Sequence, residues 1–108
     1  MEKLNLNGTI ACVGKVRGKV YKLEDTSKLA PPRSGCIIVA KFTTPVIAPA
    51  LIQAVGIICE TGGITSHAAI ISREFNKPCM VGVKDAMTQL IDGQEIIMDA
   101  GAGIIYAP

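Results

Sequence analysis

Short apolar runs alternate with segments rich in glycine, proline and polar residues, and this alternation predicts the fold. Residues 36–40, 56–59 and 79–83 are almost continuously apolar, a pattern typical of strands that are covered on both faces. Helical patterns lie between these runs. Because strands that alternate with helices indicate a parallel sheet, the middle of the chain is predicted to form a parallel α/β core.

Two of the predicted helices are recognised by their start signals. Thr44 is a candidate N-cap with Pro45 in the first turn, which predicts a helix that runs to about residue 54. Pro49 lies within this segment and is expected to bend or shorten the helix, because proline lacks a backbone N–H. Asp85 is the candidate cap of a short helix that ends at Leu90.

The central predicted helix covers residues 66–75 and follows a pair of glycines. Asn76 is a candidate left-handed stop, and Pro78 prevents the helix from continuing. The apolar residues of this segment recur at helical spacing, so they are predicted to pack inward as one stripe. The stripe consists of Ile64, Ala68, Ile71 and Phe75.

Both ends of the chain have the pattern of antiparallel strands. Residues 9–23 are predicted to form two short strands around glycines, and residues 94–100 and 103–107 two strands joined by a glycine-containing turn. Residues 24–35 are polar and proline-containing, which predicts a loop. The fold class is therefore α/β. One compact domain over residues 1–108 is predicted, with a partly parallel central sheet, antiparallel hairpins at both ends and helices around the sheet.

Composition narrows the classes of partner. A chain of 108 residues, 49% of them apolar, fits one folded domain. The formal net charge is only +2, and no basic block is interleaved with the few aromatic residues, so no nucleic-acid partner is expected. No apolar run reaches the ~18 residues of a membrane-spanning helix, and the first residues do not resemble a signal peptide. We therefore expect no membrane association and a cytoplasmic location.

The four cysteines are spaced too widely for a typical metal site. Cys12, Cys36, Cys59 and Cys79 include no close pair, whereas structural zinc sites usually contain one. Buried, reduced thiols that act as small hydrophobic side chains are the favoured interpretation. A metal cluster assembled from separate strands is the weaker alternative. No metal site is predicted in this chain.

The only histidine, His67, lies within residues 61–71, at the predicted start of the central helix. Gly62 and Gly63 allow a tight turn there, and either Thr65 or Ser66 can cap the helix. A helix start offers free backbone N–H groups and a positive dipole end, which together form an anion site and favour a neutral imidazole. A neutral ring can also accept a phosphoryl group covalently. From these residues alone, His67 is a nucleophile, a ligand or a polar surface residue.

Arg73 lies six residues after His67, so an ideal helix turns the two side chains about 120° apart. Its long side chain is able to reach a phosphate bound near His67. It is equally able to pair with Glu74 or a neighbouring loop, and the spacing does not distinguish these roles.

Residues 61–70 read Thr-Gly-Gly-Ile-Thr-Ser-His-Ala-Ala-Ile and are followed by Arg73, Glu74 and the segment 78–82. This pattern resembles the phosphohistidine signature of phosphoenolpyruvate-utilising enzymes, a family that includes pyruvate phosphate dikinase, phosphoenolpyruvate synthase and enzyme I of the sugar phosphotransferase system. The resemblance extends over about residues 11–106 and implies the family's mobile, or swivelling, β/α domain.

The same resemblance implies roles for individual residues. His67 corresponds to the residue that is phosphorylated in transit, and Ser66 with the two glycines, Gly62 and Gly63, to the phosphate-binding turn. Thr65 corresponds to a regulatory phosphorylation site of plant pyruvate phosphate dikinase, and Arg73 to an arginine of the family motif.

Two segments depart from the family pattern. Residues 75–78 read Phe-Asn-Lys-Pro where the family often has Leu-Gly-Ile-Pro, and residues 11–14 read Ala-Cys-Val-Gly in place of Ala-Ser-Pro-Gly. Asparagine tolerates the left-handed conformation of the replaced glycine. The second segment contacts partner domains in full-length relatives, so the docking surface is expected to differ. Neither change affects His67.

The resemblance implies one part of a larger machinery. The chain has no Walker-type loop, and 108 residues do not accommodate a phosphoenolpyruvate-binding barrel or a nucleotide-binding domain. We therefore predict a stand-alone phosphohistidine domain of a phosphotransferase, in which His67 carries a phosphoryl group between a donor site (phosphoenolpyruvate or ATP) and an acceptor site on partner subunits. No cofactor is expected on this chain, Mg²⁺ is expected on the partner domains, and no turnover is expected without partners.

Two other functions remain open at this point. The helix start at residues 63–67 is suited to a non-catalytic module that binds an anion for regulation or assembly. A dinucleotide-binding fold is less favoured, because the Gly-x-Gly-x-x-Gly motif is absent.

Overall fold

The computed structural model describes residues 2–29, 31 and 33–108. Its strands, in chain order, are β1 (Glu2–Lys3), β2 (Thr9–Cys12), β3 (Lys15–Leu23), β4 (Cys36–Ala40), β5 (Gly56–Cys59), β6 (Cys79–Val81), β7 (Glu95–Asp99) and β8 (Ile104–Ala107). The helices are a 3₁₀ turn (Pro45–Ile47), α1 (Ala48–Gln53), α2 (His67–Glu74) and α3 (Ala86–Gln89). The strands form one sheet in the order β1-β8-β7-β3-β4-β5-β6-β2.

The centre of the sheet is parallel and its flanks are antiparallel. Strands β3, β4, β5 and β6 pair in parallel, with α1 joining β4 to β5 and α2 joining β5 to β6. The remaining pairs, β3–β7, β7–β8, β8–β1 and β6–β2, are antiparallel. The predicted α/β class with a partly parallel sheet is confirmed. The carboxyl ends of β4 and β5 share one edge of the sheet, which is where ligand sites of such sheets usually lie.

The hairpin predicted at the start of the chain is wrong, whereas the one at the end is confirmed. Strands β2 and β3 do not pair with each other: β2 pairs with β6, and β3 with β4 and β7. Gly14, at φ 151°, redirects the chain between them. A Cβ at Gly14 would lie 2.5 Å from Cγ of Pro78, so only glycine lets β2 reach the far edge beside β6. Alternation of polar and apolar residues along a strand indicates which of its faces is buried. It does not indicate which other strand pairs with it.

Both faces of the central strands are buried. Ile38, Leu51 and Ile57 belong to the apolar cluster between the sheet and helices α1 and α2. Ile37 and Ile58, one residue along in sequence, belong to the cluster on the opposite face. Because successive side chains of a strand point to opposite faces, continuous apolar runs are required here, as the sequence pattern predicted.

The first predicted helix is divided into the 3₁₀ turn and α1. Pro49 lies in the first turn of α1, where a missing N–H is tolerated, so the helix is shortened as predicted. Thr44 occupies the N-cap position but makes no capping hydrogen bond. Its hydroxyl donates instead to the carbonyl of Thr26.

Helix α3 also begins without the predicted cap. Asp85 occupies the N-cap position in the left-handed conformation (φ 65°) and makes no side-chain cap bond. The backbone N–H of Met87 donates instead to the Glu60 carboxylate at 2.7 Å. A residue from the β5–α2 loop thus caps α3, and local spacing could not reveal such a partner.

The inward stripe predicted for the central helix is confirmed for Ala68 and Ile71, which join or pack against the core cluster, and is wrong for the other two residues. Ile64 and Phe75 are 58% and 41% exposed, because α2 begins at His67 and ends at Glu74, so neither residue follows its helical phase. The buried residues are Ala68, Ala69 and Ser72; Ile71 is only half-buried. Small side chains here let α2 lie close to the sheet. The predicted stop is confirmed, since Asn76 has φ 53°.

All four cysteines are free. Burial raises the pKa of the Cys59 thiol to about 12 and that of the Cys79 thiol to about 11, so both are protonated at neutral pH. Cys12 and Cys36 are half-buried. Over the described residues, no helix combines the length and apolar character that crossing a membrane requires.

Candidate functional site

The loops that follow β4 and β5 are joined to each other by hydrogen bonds. The backbone N–H of Glu60 donates to the Ala40 carbonyl at 2.9 Å. The carbonyl of Lys41 accepts from both the N–H and the hydroxyl of Thr61, at 3.0 and 2.7 Å. These bonds hold the two loops side by side at the carboxyl edge of the sheet, where the following residues form a site.

The two glycines that follow β5 have different structural roles. Gly62 has φ 99°, and a Cβ there would lie 3.0 Å from both Cβ and Oγ of Ser66. This position therefore requires glycine. Gly63 has no such conformation, and a Cβ there would meet nothing within 4 Å. The turn depends on Gly62, while Gly63 leaves open space beside the start of α2.

Ser66 is the N-cap of α2, which resolves the choice between Thr65 and Ser66. Its backbone is extended (φ −69°, ψ 162°). Its Oγ accepts from the Ala69 N–H at 3.3 Å and donates to the Gly63 carbonyl at 2.7 Å. The cap therefore fixes the helix start and the glycine turn together. Thr65 is exposed on the loop beside it.

His67 is the first residue of α2, and its ring is held by a residue from the neighbouring loop. Nδ1 of His67 lies 2.8 Å from Oγ1 of Thr43, which follows β4. When Nδ1 carries the proton, it donates to the Thr43 hydroxyl and Nε2 keeps its lone pair. In that tautomer Nε2 is the ring nitrogen that is able to act as a nucleophile.

Thr43 is a site residue that the sequence reasoning missed. It lies 24 residues before His67, so no local motif connects the two. The available signal was its position just past β4, because carboxyl ends of adjacent parallel strands meet at one edge.

A small open cleft of about 60 Å³ lies at this edge. Its lining joins the β4 loop, the glycine turn and the start of α2: Phe42, Thr43, Cys59, Thr61, Gly62, Ser66, His67 and Ala68. No lysine or arginine is among these lining residues. The cleft therefore supplies backbone dipoles and hydroxyls to an anion, but no positively charged side chain of its own.

Arg73 bonds to two neighbouring backbone segments. Its guanidinium donates to the Ala11 carbonyl of β2 at 3.2 Å and to the Ile64 carbonyl at 2.6 Å. This arrangement fits the loop-pairing role that the sequence left open, since it ties the loop before α2 to the sheet. A contact between Arg73 and phosphate stays a prediction.

The predicted site residues thus separate into two groups. Gly62, Gly63, Ser66 and His67 lie together at the cleft or its edge, joined by Thr43. Thr65 and Arg73 lie beside this group. Within the part of the chain that the structure describes, no group of three or more histidine, cysteine or acidic side chains is placed to hold a metal ion.

The structure is thus an α/β domain in which the carboxyl edge of a parallel sheet presents a histidine at a capped helix start. The family model described as "PEP-utilising enzyme, mobile domain" matches residues 32–103 of this chain. The chain therefore belongs to the mobile-domain family of phosphoenolpyruvate-utilising enzymes, as its motif indicated.

Individual relatives agree with this assignment. Phosphoenolpyruvate synthase of Pyrococcus furiosus is 39% identical over 101 residues, which are 94% of this chain and 12% of that enzyme. The chain spans only 12–15% of the length of three curated phosphoenolpyruvate synthases that it matches.

Solved structures support the fold. A solution structure of Enzyme I is similar at a TM-score of 0.59 and 28% identity, over 68% of this chain and 31% of that one. Aconitase X of Thermococcus kodakaraensis is similar at a TM-score of 0.70 over 95% of this chain and 97% of that chain, at 18% identity. The second likeness concerns the fold alone.

Proposed function

We propose that this domain carries a phosphoryl group on Nε2 of His67 between a donor site and an acceptor site on partner domains or subunits. The observation that carries the proposal is the 2.8 Å contact between Nδ1 of His67 and Oγ1 of Thr43. This contact engages one ring nitrogen and leaves the other for chemistry. Membership of the mobile-domain family supports the same conclusion.

The transfer step uses the lone pair of Nε2. As the bond between Nε2 and phosphorus forms, the bond between phosphorus and the donor oxygen breaks, and its electron pair leaves with that oxygen. Nδ1 keeps its proton throughout, and this N–H donates a hydrogen bond to the Thr43 hydroxyl. The hydrogen bond stabilises the positive charge that develops on the ring. The transferred group lies at the start of α2, where backbone N–H groups and the helix dipole favour its negative charge.

Partners are required because the negative charge of the phosphate oxygens must be neutralised during the transfer. Phosphoryl transfer depends on positioning and on neutralising the charge of the phosphate oxygens, and the cleft is lined by no lysine or arginine. We place the missing positive charge, including Mg²⁺, on a phosphoenolpyruvate-binding barrel, a nucleotide-binding partner or both. Phosphoenolpyruvate and ATP are the two candidate donors, and turnover is expected only with such partners.

The first experiment needs no partner. Phosphoramidate, a small donor that phosphorylates histidine directly, is added to the purified protein, and the intact mass is followed with time. We expect the gain of one acid-labile phosphoryl group, and ¹⁵N NMR places it on Nε2. His67→Gln keeps the size and polarity of the side chain and should abolish the modification. Phosphorylation on Nδ1, or on the H67Q protein, would contradict the assignment.

The second experiment tests the carrier role. The same measurement is made with phosphoenolpyruvate or ATP in the presence of a phosphoenolpyruvate synthase from which the mobile domain has been deleted. Labelling of His67 and its loss on adding the acceptor are expected. If phosphoramidate labels the protein but a partner of verified activity does not, the nucleophile is real and the carrier role is rejected.

The alternative of a non-catalytic anion-binding module has one supporting observation, the open space beside Gly63 at the helix start. Calorimetry with inorganic phosphate distinguishes the two functions. Affinity that survives His67→Gln, together with no phosphorylated species, favours the binding module.

A further inference from the structure

Two cysteines face each other across the antiparallel pair β2–β6. The ladder pairs Ile10 with Met80 and then Cys12 with Cys79, with a register shift between the two pairs. Ala11 is the extra residue of this irregularity, which is a β-bulge. Without the bulge, Cys12 would be displaced from Cys79 by one residue.

The bulge also places both side chains on one face of the sheet. Cys79 belongs to the apolar cluster beneath α2, and Cys12 packs against that same cluster. Their neighbours in the ladder, Ile10 and Met80, belong to the opposite face. The two thiols are therefore on the same side of the sheet.

The spacing of such a pair suits a disulfide. In a regular antiparallel ladder, directly opposed residues have Cα atoms about 4.5–5.5 Å apart, within the range of about 4.4–6.8 Å that disulfides span, and Cys12 is the ladder partner of Cys79 on the far side of the bulge. The chain is also tightly packed just past this point, because a Cβ on Gly14 would lie 2.5 Å from Pro78 Cγ.

We propose that Cys12 and Cys79 are a peroxide-sensitive modification site that closes into a reversible intramolecular disulfide. This proposal does not depend on phosphoryl transfer. In the first step, the sulfur of Cys12 attacks one oxygen of the peroxide. An S–O bond forms, the O–O bond breaks, and hydroxide leaves with the Cys12 proton as water. In the second step, the sulfur of Cys79 attacks that of Cys12. The S–S bond forms, the S–O bond breaks, and hydroxide leaves with the Cys79 proton as water. The two thiols lose two electrons in total, and the peroxide gains them.

The order of the two steps follows from accessibility. Cys79 is fully buried, and burial raises its pKa to about 11, so it is protonated and shielded from an oxidant in solution. Cys12 is half-buried on an edge strand and is the thiol that a peroxide reaches. Cys79 then acts as the resolving thiol because it is the cross-strand neighbour.

The disulfide is expected to be easily reduced because Cys12 lies half-buried on an edge strand, and exposed disulfides are reduced more readily than buried ones. The neighbouring carbonyl on the same strand, that of Ala11, accepts a hydrogen bond from Arg73.

The test treats the purified protein with hydrogen peroxide in low molar excess. We expect a monomer lighter by the mass of two hydrogen atoms and, after digestion without reductant, one linked peptide pair that contains Cys12 and Cys79. Dithiothreitol should restore the original mass. Cys12→Ser should abolish the mass loss, and the matched variant Cys36→Ser, at another half-buried cysteine, should leave it unchanged.

Several results would overturn the proposal. They are a linkage of Cys12 to Cys36, a dimer linked through Cys12, or further oxidation of Cys12 to a sulfinic acid while Cys79 stays a thiol. Cys79→Ala should trap the sulfenic acid on Cys12. If that variant does not fold, peptide mapping of the unaltered chain and the Cys12→Ser variant decide the question.

Discussion

Two chain segments follow neighbouring parallel strands and contain the same kinds of residue, yet they form different structures. Thr43 and Thr44 follow β4 and precede the 3₁₀ turn, which begins at Pro45, whereas Ser66 follows β5 and precedes α2, which begins at His67. Each segment places a hydroxyl residue with an extended backbone at the N-cap position. The backbone at the N-cap position is therefore extended in both segments.

The side chains distinguish the two starts. Ser66 caps its own helix and also holds the glycine turn. Thr44 donates to Thr26 and caps nothing, while Thr43 is left to contact the ring of His67. One helix start thus presents the reactive residue, and the other supports it. A hydroxyl at a helix start becomes a cap only where the preceding loop positions it, as the turn at Gly62 does for Ser66.

A large effect is expected from the glycine turn that only the second start possesses. Gly62→Ala should lower the free energy of unfolding by about 2 kcal/mol, because alanine is strained at φ 99° and its Cβ would crowd Ser66. Gly63→Ala is the matched control and should change it by less than about 0.5 kcal/mol, since its Cβ meets no atom. Urea unfolding of both variants measures the difference, and equal losses would contradict it.

The next effect separates the two adjacent threonines of the first start. Thr43→Val removes the hydroxyl that contacts Nδ1 and should slow phosphorylation of His67 by phosphoramidate about tenfold, the equivalent of one lost hydrogen bond. Thr44→Val removes the bond to Thr26 and should cost about 1 kcal/mol of stability while the phosphorylation rate is unchanged. Labelling rates and urea unfolding check the pair. Equal labelling rates in the two variants would show that the Thr43 hydroxyl does not assist the phosphorylation of His67.

The comparison also explains what the sequence could predict about the site. Residues 61–67 form a contiguous motif, so His67 and its turn were predictable from local residue types. Thr43 was not, because its contact with His67 spans 24 residues and exists only after β4 and β5 have paired. The contact of Glu60 with the start of α3 was also not predictable locally, because it joins residues 27 apart in the sequence.

The same distinction holds for the fold: features set by neighbouring residues were predictable, whereas features set by contacts between distant residues were not. The continuous apolar runs predicted the buried central strands β4, β5 and β6. A strand that is buried on both faces is apolar at successive positions, so its own sequence shows this burial. The position of β2 beside β6 was missed, since it depends on the close approach of Gly14 and Pro78. That approach joins segments from the first and second halves of the chain.

A smaller effect is expected at the cap itself. Ser66→Ala should lower stability by about 1 kcal/mol, as for other lost N-caps, because the Ala69 N–H and the Gly63 carbonyl each lose a partner. Thr65→Ala, at the exposed neighbour, is the control and should be nearly neutral. Thermal unfolding of both variants tests which residue is the cap, and a larger loss at Thr65 would reverse the assignment.

The smallest effect concerns the apolar residue just before α2. Ile64 was predicted to pack inward, but it is 58% exposed, and the contact it makes to Arg73 uses its backbone carbonyl. Ile64→Ala should therefore change the free energy of unfolding by less than about 0.5 kcal/mol. Ile47→Ala, at the fully buried end of the 3₁₀ turn, should cost about 2–5 kcal/mol. Urea unfolding compares the two. A loss at Ile64 close to that at Ile47 would show that the helical stripe packs inward after all, and would remove the contrast in burial between the two helix starts.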